Sequence, residues 1–343
     1  MVDNLFVVES PLQALIALEL SLCLKGQKNG IVYRFSKGRE RNNNQIEKVI
    51  NGVKWSFQKK ISCNDKNPLL NHQRIAKELK GLRRTFPTGI KQLFIGEFRS
   101  QWMHFMRVAT KPTRTILMDD GAATVTVKRR FIDKGVYYPK DILERGSFLK
   151  KLVKRYMYRD FIKSETLYLP MYLASAFIKE GSLYPIDFSF IKQLFSAAHK
   201  TTGSKAVFYF GSKYSEAGII SRDYELELLN RIKQFYSSYN CDLLYCAHRD
   251  ESKEKLNIIE NTLGFHVLAP TMPAEIFLLE NNERIHEVSG AYSSVLNNAK
   301  TLMPEVSVRA FKLVANEVNA KNRAEIEYIY DHFKAAGITV CGF

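Results

Sequence analysis

Two adjacent carboxylates follow one of the apolar segments of the chain. Asp119, Asp120 and Gly121 come directly after the apolar run 116–118. In open α/β sheets, ligands bind at the carboxyl ends of the strands. Repulsion between neighbouring carboxylates, or partial burial, can raise one pKa into the range that a general base needs. The segment therefore predicts a general base or a metal ligand, although an Asx turn that caps a helix uses the same residue types.

A histidine and an arginine follow a second apolar segment. His248 and Arg249 come just after the run 242–246. An imidazole at a strand end can donate a proton or a hydrogen bond, and a guanidinium can hold a phosphate through two parallel hydrogen bonds. The pair indicates a phosphate site; the alternative is a surface histidine that precedes a charged helix.

Small, hydroxyl-rich turns follow two further apolar runs, 206–210 and 285–288. Free backbone N–H groups at a helix N-terminus, together with serine hydroxyls, form an anion site. These turns therefore predict two more places where a phosphate can bind. The residues concerned are Gly211, Ser212, Ser289, Gly290, Ser293 and Ser294.

The spacing of cysteine and histidine excludes several enzyme classes. The five cysteines form no CxxC pair, and the chain has no HExxH or GxSxG motif. Zinc hydrolases and serine hydrolases are therefore disfavoured. We expect reduced structural thiols, no disulfide framework and no metal site.

The elements that must position these groups alternate between strand and helix. Apolar runs are followed by polar loops and then by segments whose apolar residues recur at helical spacing. This pattern is typical of a parallel sheet covered by helices. The first run, residues 5–9, ends at Ser10, and Gln13 lies in the helix that follows it. The pattern restarts near residue 206. We therefore predict an α/β protein with two Rossmann-like domains, residues 1–190 and 200–343, that face each other across a cleft.

Composition places the chain among folded proteins and gives it a strong positive charge. It has 343 residues, of which 45% are apolar and 25% charged, with 51 Lys plus Arg against 35 Asp plus Glu. The formal charge of +16 attracts polyanions, namely nucleic acid, anionic lipid or a phosphate-rich substrate. We find no signal peptide and no spanning helix, so we expect a cytoplasmic protein.

Residues 148–163 predict one amphipathic helix. The segment carries six basic and seven apolar residues at helical spacing. We expect the apolar stripe to pack on its own domain and the basic face to point outward, where anionic lipids would attract it. The alternative is a solvated surface helix without a partner.

Several short motifs follow one another along the chain in an order that is typical of one enzyme group. That order resembles bacterial sialyltransferases, most closely glycosyltransferase family 52, the lipooligosaccharide sialyltransferases. The Asp-Asp-Gly and His motifs also occur in other bacterial sialyltransferases and polysialyltransferases. The motifs are, in chain order, Ser10-Pro11-Leu12-Gln13, Met118-Asp119-Asp120-Gly121, Tyr168-Leu169-Pro170, Phe210-Gly211-Ser212, Ala247-His248 and Ser289-Gly290-Ala291.

The resemblance spans the chain from end to end and implies a glycosyltransferase-B fold. It also implies a CMP-sialic acid donor and inverting transfer to a terminal sugar such as galactose. We expect residues 1–190 to form the acceptor side, with Ser10, Gln13 and Gly121 in the cleft, and residues 200–343 to bind the donor.

The resemblance assigns roles to individual residues. Asp119 and Asp120 match the acidic motif that supplies the base in several related families, and His248 matches the histidine that assists departure of CMP. The phosphate loop corresponds to Ser289, Gly290, Ser293 and Ser294.

The chain departs from the family pattern at two positions. Arg249 replaces the proline that normally follows the histidine. Tyr214 stands where family 52 has a candidate aspartate, so that Glu216 is the nearest acid. The base therefore stays open between Asp119, Asp120 and Glu216.

The leading hypothesis is a sialyltransferase that completes a lipooligosaccharide or capsule at the inner face of the plasma membrane. Its partners would be the CMP-sugar, a glycan acceptor and the anionic membrane surface, with a homodimer as a further hypothesis. We expect no cofactor and no obligatory metal, because CMP carries a single phosphate. Alternatives are transfer of another CMP-activated keto sugar (pseudaminic acid, legionaminic acid or Kdo), a basic nucleic-acid-binding protein, and a non-catalytic assembly protein of a capsule locus. No nucleic-acid-binding motif supports the second of these classes.

Overall fold

The computed structural model describes residues 2–143, 147–195 and 204–343, without the side chains of residues 142, 143, 149 and 150. These residues form two compact units, Met1–Ile186 and Asp187–Phe343. His199 and most of the small, polar segment 197–204 lie outside the described residues.

Unit 1 is built on a parallel sheet with the strand order β3-β2-β1-β4-β5-β6-β7. Its strands are β1 Asn4–Val8, β2 Asn29–Ser36, β3 Phe57–Cys63, β4 Ile90–Ile95, β5 Pro112–Met118, β6 Met171–Ser175 and β7 Tyr184–Pro185. Its helices are α1 Pro11–Cys23, α2 Glu40–Ile50, α3 Pro68–Thr85, α4 Gln101–Thr110, α5 Ala123–Arg130, α6 Lys140–Leu143, α7 Phe148–Met157 and α8 Arg159–Ile162, with 3-10 turns at Ile132–Lys134 and Glu165–Tyr168.

The centre of this sheet follows from the apolar run at the start of the chain. All five residues of β1 are buried, as expected for a strand that helices cover on both faces. The next helix starts where the sequence predicts it, because the Ser10 side chain accepts a hydrogen bond from Gln13 N and Pro11 occupies the first helical position.

Unit 2 repeats this plan with the strand order β10-β9-β8-β11-β12-β13, again all parallel. Its strands are β8 Ala206–Phe210, β9 Asp242–Cys246, β10 His266–Leu268, β11 Ile285–Gly290, β12 Ser307–Phe311 and β13 Thr339–Cys341. Its helices are α9 Ser189–Phe195, α10 Arg222–Tyr236, α11 Lys253–Asn261, α12 Ala274–Glu280, α13 Ser294–Leu302 and α14 Ala320–Ala335, with a 3-10 turn at Asn282–Arg284. The predicted fold class, α/β with two Rossmann-like domains, is confirmed.

In both sheets the order in which successive strands are added reverses beside the first strand. β1 lies between β2 and β4, and β8 lies between β9 and β11. Such a switch point opens a crevice at the carboxyl ends of the two central strands, where ligands bind in this class of fold. Each unit therefore presents its candidate residues at its own switch point.

The segment 148–163 differs from its prediction in two ways. It forms two helices, α7 and α8, that are separated at Tyr158. The prediction that the apolar stripe packs against its own domain is wrong for three of its side chains. Phe148, Leu152 and Tyr156 are 75%, 46% and 72% exposed. Within the described residues, no helix combines the length and the apolar character needed to cross a membrane.

The five cysteines are all free thiols, as expected. Among the described residues, no group of three or more His, Cys, Asp or Glu side chains is arranged to hold a metal ion.

Candidate active site

Asp119, the first acid of the Asp-Asp-Gly motif, is a fully buried structural residue. Its Oδ1 accepts a hydrogen bond from Ser175 Oγ at 2.6 Å, and its Oδ2 accepts one from Ala176 N at 2.6 Å. Both oxygens are therefore engaged in fixing the end of β6 beside β5. Burial raises the pKa of Asp119 to about 6, although these hydrogen bonds oppose the rise. The structure argues against Asp119 as the base.

Asp120, the second acid, is half-buried at the end of β5. Gln13 Nε2 donates a hydrogen bond to Asp120 Oδ1 at 2.7 Å, and Asp120 N donates to Thr124 Oγ1 at 2.9 Å. The next residue, Gly121, has a φ of +69° and turns the chain into α5. Asp120 is thus the carboxyl group of this motif that is placed to act.

Glu97, at the end of β4, is hydrogen-bonded to Asp120 and completes an acid pair. Burial and the charge of Glu97 raise the pKa of Asp120 well above its usual range. Burial would also raise the pKa of Glu97, but the hydrogen bond from Asp120 and the Arg99 guanidinium lower it overall. The two carboxyl groups therefore hold one proton between them, and the pair keeps one negative charge.

Gln13 is held in place by the close approach of Gly96. Gln13 Oε1 accepts a hydrogen bond from Glu9 N at 2.9 Å, which orients its amide group towards Asp120. A Cβ atom on Gly96 would lie 2.3 Å from Gln13 Oε1. Only glycine at this position leaves room for the Gln13 side chain. Gln13, which follows the first strand, therefore contacts the acidic motif directly.

A cavity of about 420 Å³ adjoins the acid pair, since Glu97 forms part of its wall. Its charged and aromatic lining residues are Glu9, Arg34, His72, Glu97, Arg99, Trp102, Phe105, Lys154 and Tyr158.

Two carboxylates of this cavity are already paired. Arg34 Nη2 lies 2.7 Å from Glu9 Oε2, and Arg99 Nε lies 3.3 Å from Glu97 Oε1. Lys154 has no ion-pair partner among the residues described here. The cavity therefore has an excess of positive charge.

His72 is kept neutral in this cavity. Burial, followed by the charges of Lys154 and Arg34, lowers the pKa of its imidazole. Its Nδ1 lies 3.0 Å from the hydroxyl of Tyr158. The cavity thus combines fixed cations with neutral hydrogen-bonding groups.

In unit 2, three predicted phosphate turns lie side by side, because β9, β8 and β11 are neighbours in the sheet. Residues of the neighbouring strands leave little room for a side chain at two glycines of these turns. A Cβ on Gly211 would lie 2.1 Å from the Tyr245 hydroxyl, and a Cβ on Gly290 would lie 3.0 Å from Phe210 O.

His248 is fixed by its neighbours after β9. Its backbone N–H donates to Glu251 Oε2, and its Nδ1 accepts a hydrogen bond from Asp250 N at 3.1 Å. Because Nδ1 is an acceptor, the proton of the neutral ring lies on Nε2. Arg249 follows at the same strand end, near the buried Glu275, whose carboxylate it helps to stabilise.

The loop after β11 is braced by one tyrosine. The Tyr214 hydroxyl accepts a hydrogen bond from Tyr292 N and donates one to Tyr292 O, both at 2.8 Å. Ser289 is fully buried below the loop. Ser293 caps α13 by accepting from Val295 N, and Ser294 is the first helical residue. The predicted serine loop thus leads into a helix N-terminus.

Glu216 lies at the exposed edge of a buried ionic cluster. Lys255, whose side chain is 1% exposed, lies 2.9 Å from Glu216, 2.8 Å from Glu225 and 2.9 Å from Glu251. Glu216 Oε1 also accepts a hydrogen bond from Ser252 N, the residue that caps α11.

Burial would raise the pKa of Glu216, but Ser252 N–H and the Lys255 ammonium group lower it overall. Both carboxylate oxygens of Glu216 are therefore occupied, which argues against this residue as the base. The cluster also reaches Ser212, whose carbonyl oxygen accepts a hydrogen bond from Lys255 Nζ at 2.8 Å.

A family model describing alpha-2,8-polysialyltransferases matches residues 4–312. The chain belongs to this polysialyltransferase family. The expectation of a bacterial sialyltransferase, and hence of a glycosyltransferase enzyme, is confirmed. The matched model describes polysialyltransferases, whereas the sequence motifs resemble lipooligosaccharide sialyltransferases most closely. No curated protein sequence matches this member of the polysialyltransferase family significantly.

Solved structures share the fold at low sequence identity. An alpha/beta-galactoside alpha-2,3-sialyltransferase from Photobacterium phosphoreum has a TM-score of 0.52 at 13% identity and covers 99% of this chain and 98% of its own. MnaA from S. aureus, solved with UDP, has a TM-score of 0.54 at 9% identity, and the match covers 97% of this chain and 88% of MnaA. The UDP-GlcNAc 2-epimerase of Neisseria meningitidis has a TM-score of 0.50 at 9% identity, and the match covers 98% of this chain and 94% of the epimerase. These likenesses support the predicted glycosyltransferase-B type of fold.

Sequence reasoning assigned no catalytic or binding role to several residues around this candidate site. Glu97 and Arg99 follow an apolar run just as the predicted acids do, and this position is a usable signal. The other cavity residues, Arg34, His72 and Lys154, lie on three different elements, and no spacing along the chain connects them.

Proposed function

We propose that this enzyme transfers sialic acid from CMP-sialic acid to a terminal sugar hydroxyl of a bacterial surface glycan, either lipooligosaccharide or capsule. The observation that carries the proposal is the acid pair of Asp120 and Glu97 at the switch point of unit 1, in a chain of the polysialyltransferase family. Sugar transfer needs a base on the acceptor hydroxyl and a group that assists the leaving phosphate.

The acid pair supports the base function. Asp120 and Glu97 share one proton, so the pair still carries one negative charge that can receive the proton of the acceptor hydroxyl. Gln13 Nε2 orients Asp120 by donating a hydrogen bond to its Oδ1. A single displacement of CMP by the acceptor oxygen inverts the configuration at the sugar carbon, so we propose an inverting reaction.

The strand ends of unit 2 support donor binding. His248 can donate a hydrogen bond or a proton through Nε2 to the departing phosphate, and Arg249 adds positive charge at the same place. Backbone N–H groups at the start of α13 attract the same anion, with Ser293 and Ser294 beside them. Gly211, Ser212, Ser289 and Gly290 shape the floor of this proposed site.

These groups can neutralise the single phosphate of CMP without a metal. We therefore propose that transfer needs neither a metal nor a resident cofactor. Activity that persists in EDTA supports this part of the proposal, whereas activity that returns only with added Mg²⁺ or Mn²⁺ contradicts it.

The cationic cavity favours a second candidate acceptor beside galactose. Lys154, Arg34 and Arg99 outnumber the two carboxylates of the cavity, which suits a terminal sugar that carries a carboxylate. The matched family name describes alpha-2,8-linked polysialic acid, whose terminal sugar has this property. Comparison of a galactose-terminated with a sialic-acid-terminated oligosaccharide as acceptors separates the two candidates.

Thermal stabilisation by nucleotides tests the donor. We expect CMP to raise the melting temperature more than UDP or GDP does, because, of ligands that bind only the folded state, the one that binds more tightly stabilises it more at the same concentration. A larger shift with UDP would contradict the CMP-sugar proposal. If CMP gives the largest shift in melting temperature, transfer assays with CMP-activated sialic, pseudaminic and legionaminic acids and Kdo identify the sugar.

We also propose that the enzyme works at the inner, cytoplasmic face of the plasma membrane, where lipid-linked acceptors are displayed. The positive net charge of the chain supports attraction to an anionic surface. A nucleic acid competes for the same charge, and a gel shift with RNA or DNA at physiological salt tests that alternative.

A further inference from the structure

The outer face of α7 exposes large apolar side chains. Phe148, Leu152 and Tyr156 are spaced four residues apart, so they form one ridge along the helix. They are 75%, 46% and 72% exposed, and Phe148 and Tyr156 are the two most exposed of the large apolar side chains in the described residues. We call these three residues the α7 ridge.

Basic side chains flank the α7 ridge on the same helix. Lys151 and Arg155 are exposed and lie beside it at helical spacing. Arg159 follows in α8, with its guanidinium carbon 5.2 Å from the centre of the Tyr156 ring. Cations therefore surround the exposed aromatic rings.

The inner side of the same helix is anchored to its own unit. Met157 lies against the basic helix α3, in a shallow pocket with Lys77, Lys80 and Arg84. Lys154 points into the cavity beside the acid pair. The α7 ridge therefore projects from a fixed helix, and the basic end of α3 lies next to it.

We propose that the α7 ridge inserts into the headgroup region of a membrane that contains anionic lipids, with Lys151, Arg155 and Arg159 on the lipid phosphates. This inference rests on the proposed membrane location and adds the residues and the mode of contact. Phenylalanine and leucine bury their apolar surface at the acyl boundary, and tyrosine is favoured at the interface because one end of its ring is polar.

The composition of this face distinguishes a lipid surface from a second copy of the chain. A self-complementary interface would bring Lys151, Arg155 and Arg159 of two copies close together, and like charges repel. An anionic bilayer instead gains attraction from each of these cations. The charge therefore favours lipid over self-association.

Vesicle co-sedimentation of the full chain tests the proposal with matched variants. Vesicles of phosphatidylglycerol and phosphatidylcholine are compared with phosphatidylcholine alone. Phe148→Ser with Tyr156→Ser removes the aromatic rings of the ridge. Leu194→Ser with Val314→Ser removes two side chains of unit 2 that are 45% and 40% exposed and serves as the control.

We expect the wild-type chain and the control to bind anionic vesicles only, and the ridge variant to bind them about tenfold more weakly or worse. Lys151→Gln with Arg155→Gln should also weaken binding and reduce its salt dependence. Lys253→Gln with Lys321→Gln removes the same charge from unit 2 and should leave vesicle binding and its salt dependence unchanged. Transfer to a short soluble acceptor should stay unchanged in all four variants, so a failure of catalysis is distinguishable from a failure of docking.

Equal vesicle binding by the ridge variant and the wild type overturns the proposal. So does a wild-type dimer in sedimentation experiments that the ridge variant converts to a monomer, because the ridge then covers a second copy.

Discussion

Gln13 and Asp120, 107 positions apart in the chain, are joined by a hydrogen bond of 2.7 Å between the side-chain amide and the carboxyl group. The bond links the start of α1 to the end of β5 across the switch point of unit 1. It connects the two conspicuous motifs of the first half of the chain and separates the roles of two adjacent acids. Asp120 faces this amide and Glu97, whereas Asp119 turns inward to Ser175.

The two acids should respond differently to the same substitution. We predict that Asp120→Asn lowers kcat by about 100-fold or more, the usual contribution of general acid–base catalysis, with little change in melting temperature. Asp119→Asn should destabilise the fold by about 1–3 kcal/mol, because an amide cannot satisfy both Ser175 Oγ–H and Ala176 N–H. Steady-state kinetics and thermal unfolding of both variants check this; the opposite pattern assigns the base to Asp119.

The stability of the fold should depend on pH through Asp119. Its pKa is raised from 3.8 to about 6 in the folded state, so the folded state binds the proton more tightly than the unfolded state does. Between about pH 4 and pH 6 this residue therefore makes stability fall as pH rises, by roughly 3 kcal/mol in total, and it adds no slope above that range. Asp119→Asn should remove this part of the slope. Urea unfolding of wild type and variant at pH 4, 5, 6 and 7 measures the difference, and parallel curves would contradict it.

Substitution of Gly96 should lower activity only by displacing the Gln13 side chain. In Gly96→Ala the new methyl group displaces the Gln13 side chain and breaks its hydrogen bond with Asp120, so activity should fall. Gln13→Ala should lower activity to a similar extent. The double variant should be no worse than Gln13→Ala alone, because the space is then open, and a double-mutant cycle in kcat/KM tests this coupling. Additive losses would show that Gly96 has a separate role.

Substitution of His248 should affect catalysis, whereas substitution of Glu216 should affect the stability of the fold. We predict that His248→Ala lowers kcat by about 100-fold while the fold survives. Glu216→Gln should keep kcat within a few fold and lower the melting temperature, because it weakens the contact with Lys255. A large loss of kcat in a well-folded Glu216→Gln variant would restore Glu216 as the base.

Lys255 should be the most sensitive residue of its cluster. Lys255→Met leaves Glu216, Glu225 and Glu251 without their shared cation. Removal of one partner of a buried ion pair costs about 3–5 kcal/mol. Urea unfolding of this variant should therefore show a loss of that size, and a loss below about 1 kcal/mol would contradict the structural role of the cluster.

Much of the fold could be predicted because its signals are local. Apolar runs such as β1 and β8 are continuous and end at small or polar residues, which places the predicted turns at the strand ends. β3 was not predicted, because it lies at the edge of its sheet and carries exposed Gln58 and Lys60. The outer face of α7 was misread, because helical periodicity shows that apolar residues share a face but not whether another element covers that face.

The candidate site could be predicted only as a set of alternatives. The sequence places Asp119 and Asp120 side by side at a strand end, but burial and hydrogen-bond partners distinguish them. Glu216 follows a glycine-serine turn, and only the fold shows that Lys255 approaches it from another helix. Such distinctions depend on contacts between distant parts of the chain.

Acceptor-dependent release of CMP from CMP-sialic acid tests the proposed transfer reaction and the roles of Asp120 and His248 in one assay. We predict that the wild-type chain releases CMP when a glycan acceptor is present, and that both Asp120→Asn and His248→Ala reduce this rate by about 100-fold or more. Both variants should remain folded. Full activity in either variant, or turnover by the wild type with a UDP-sugar but not with CMP-sialic acid, would rule out this mechanism.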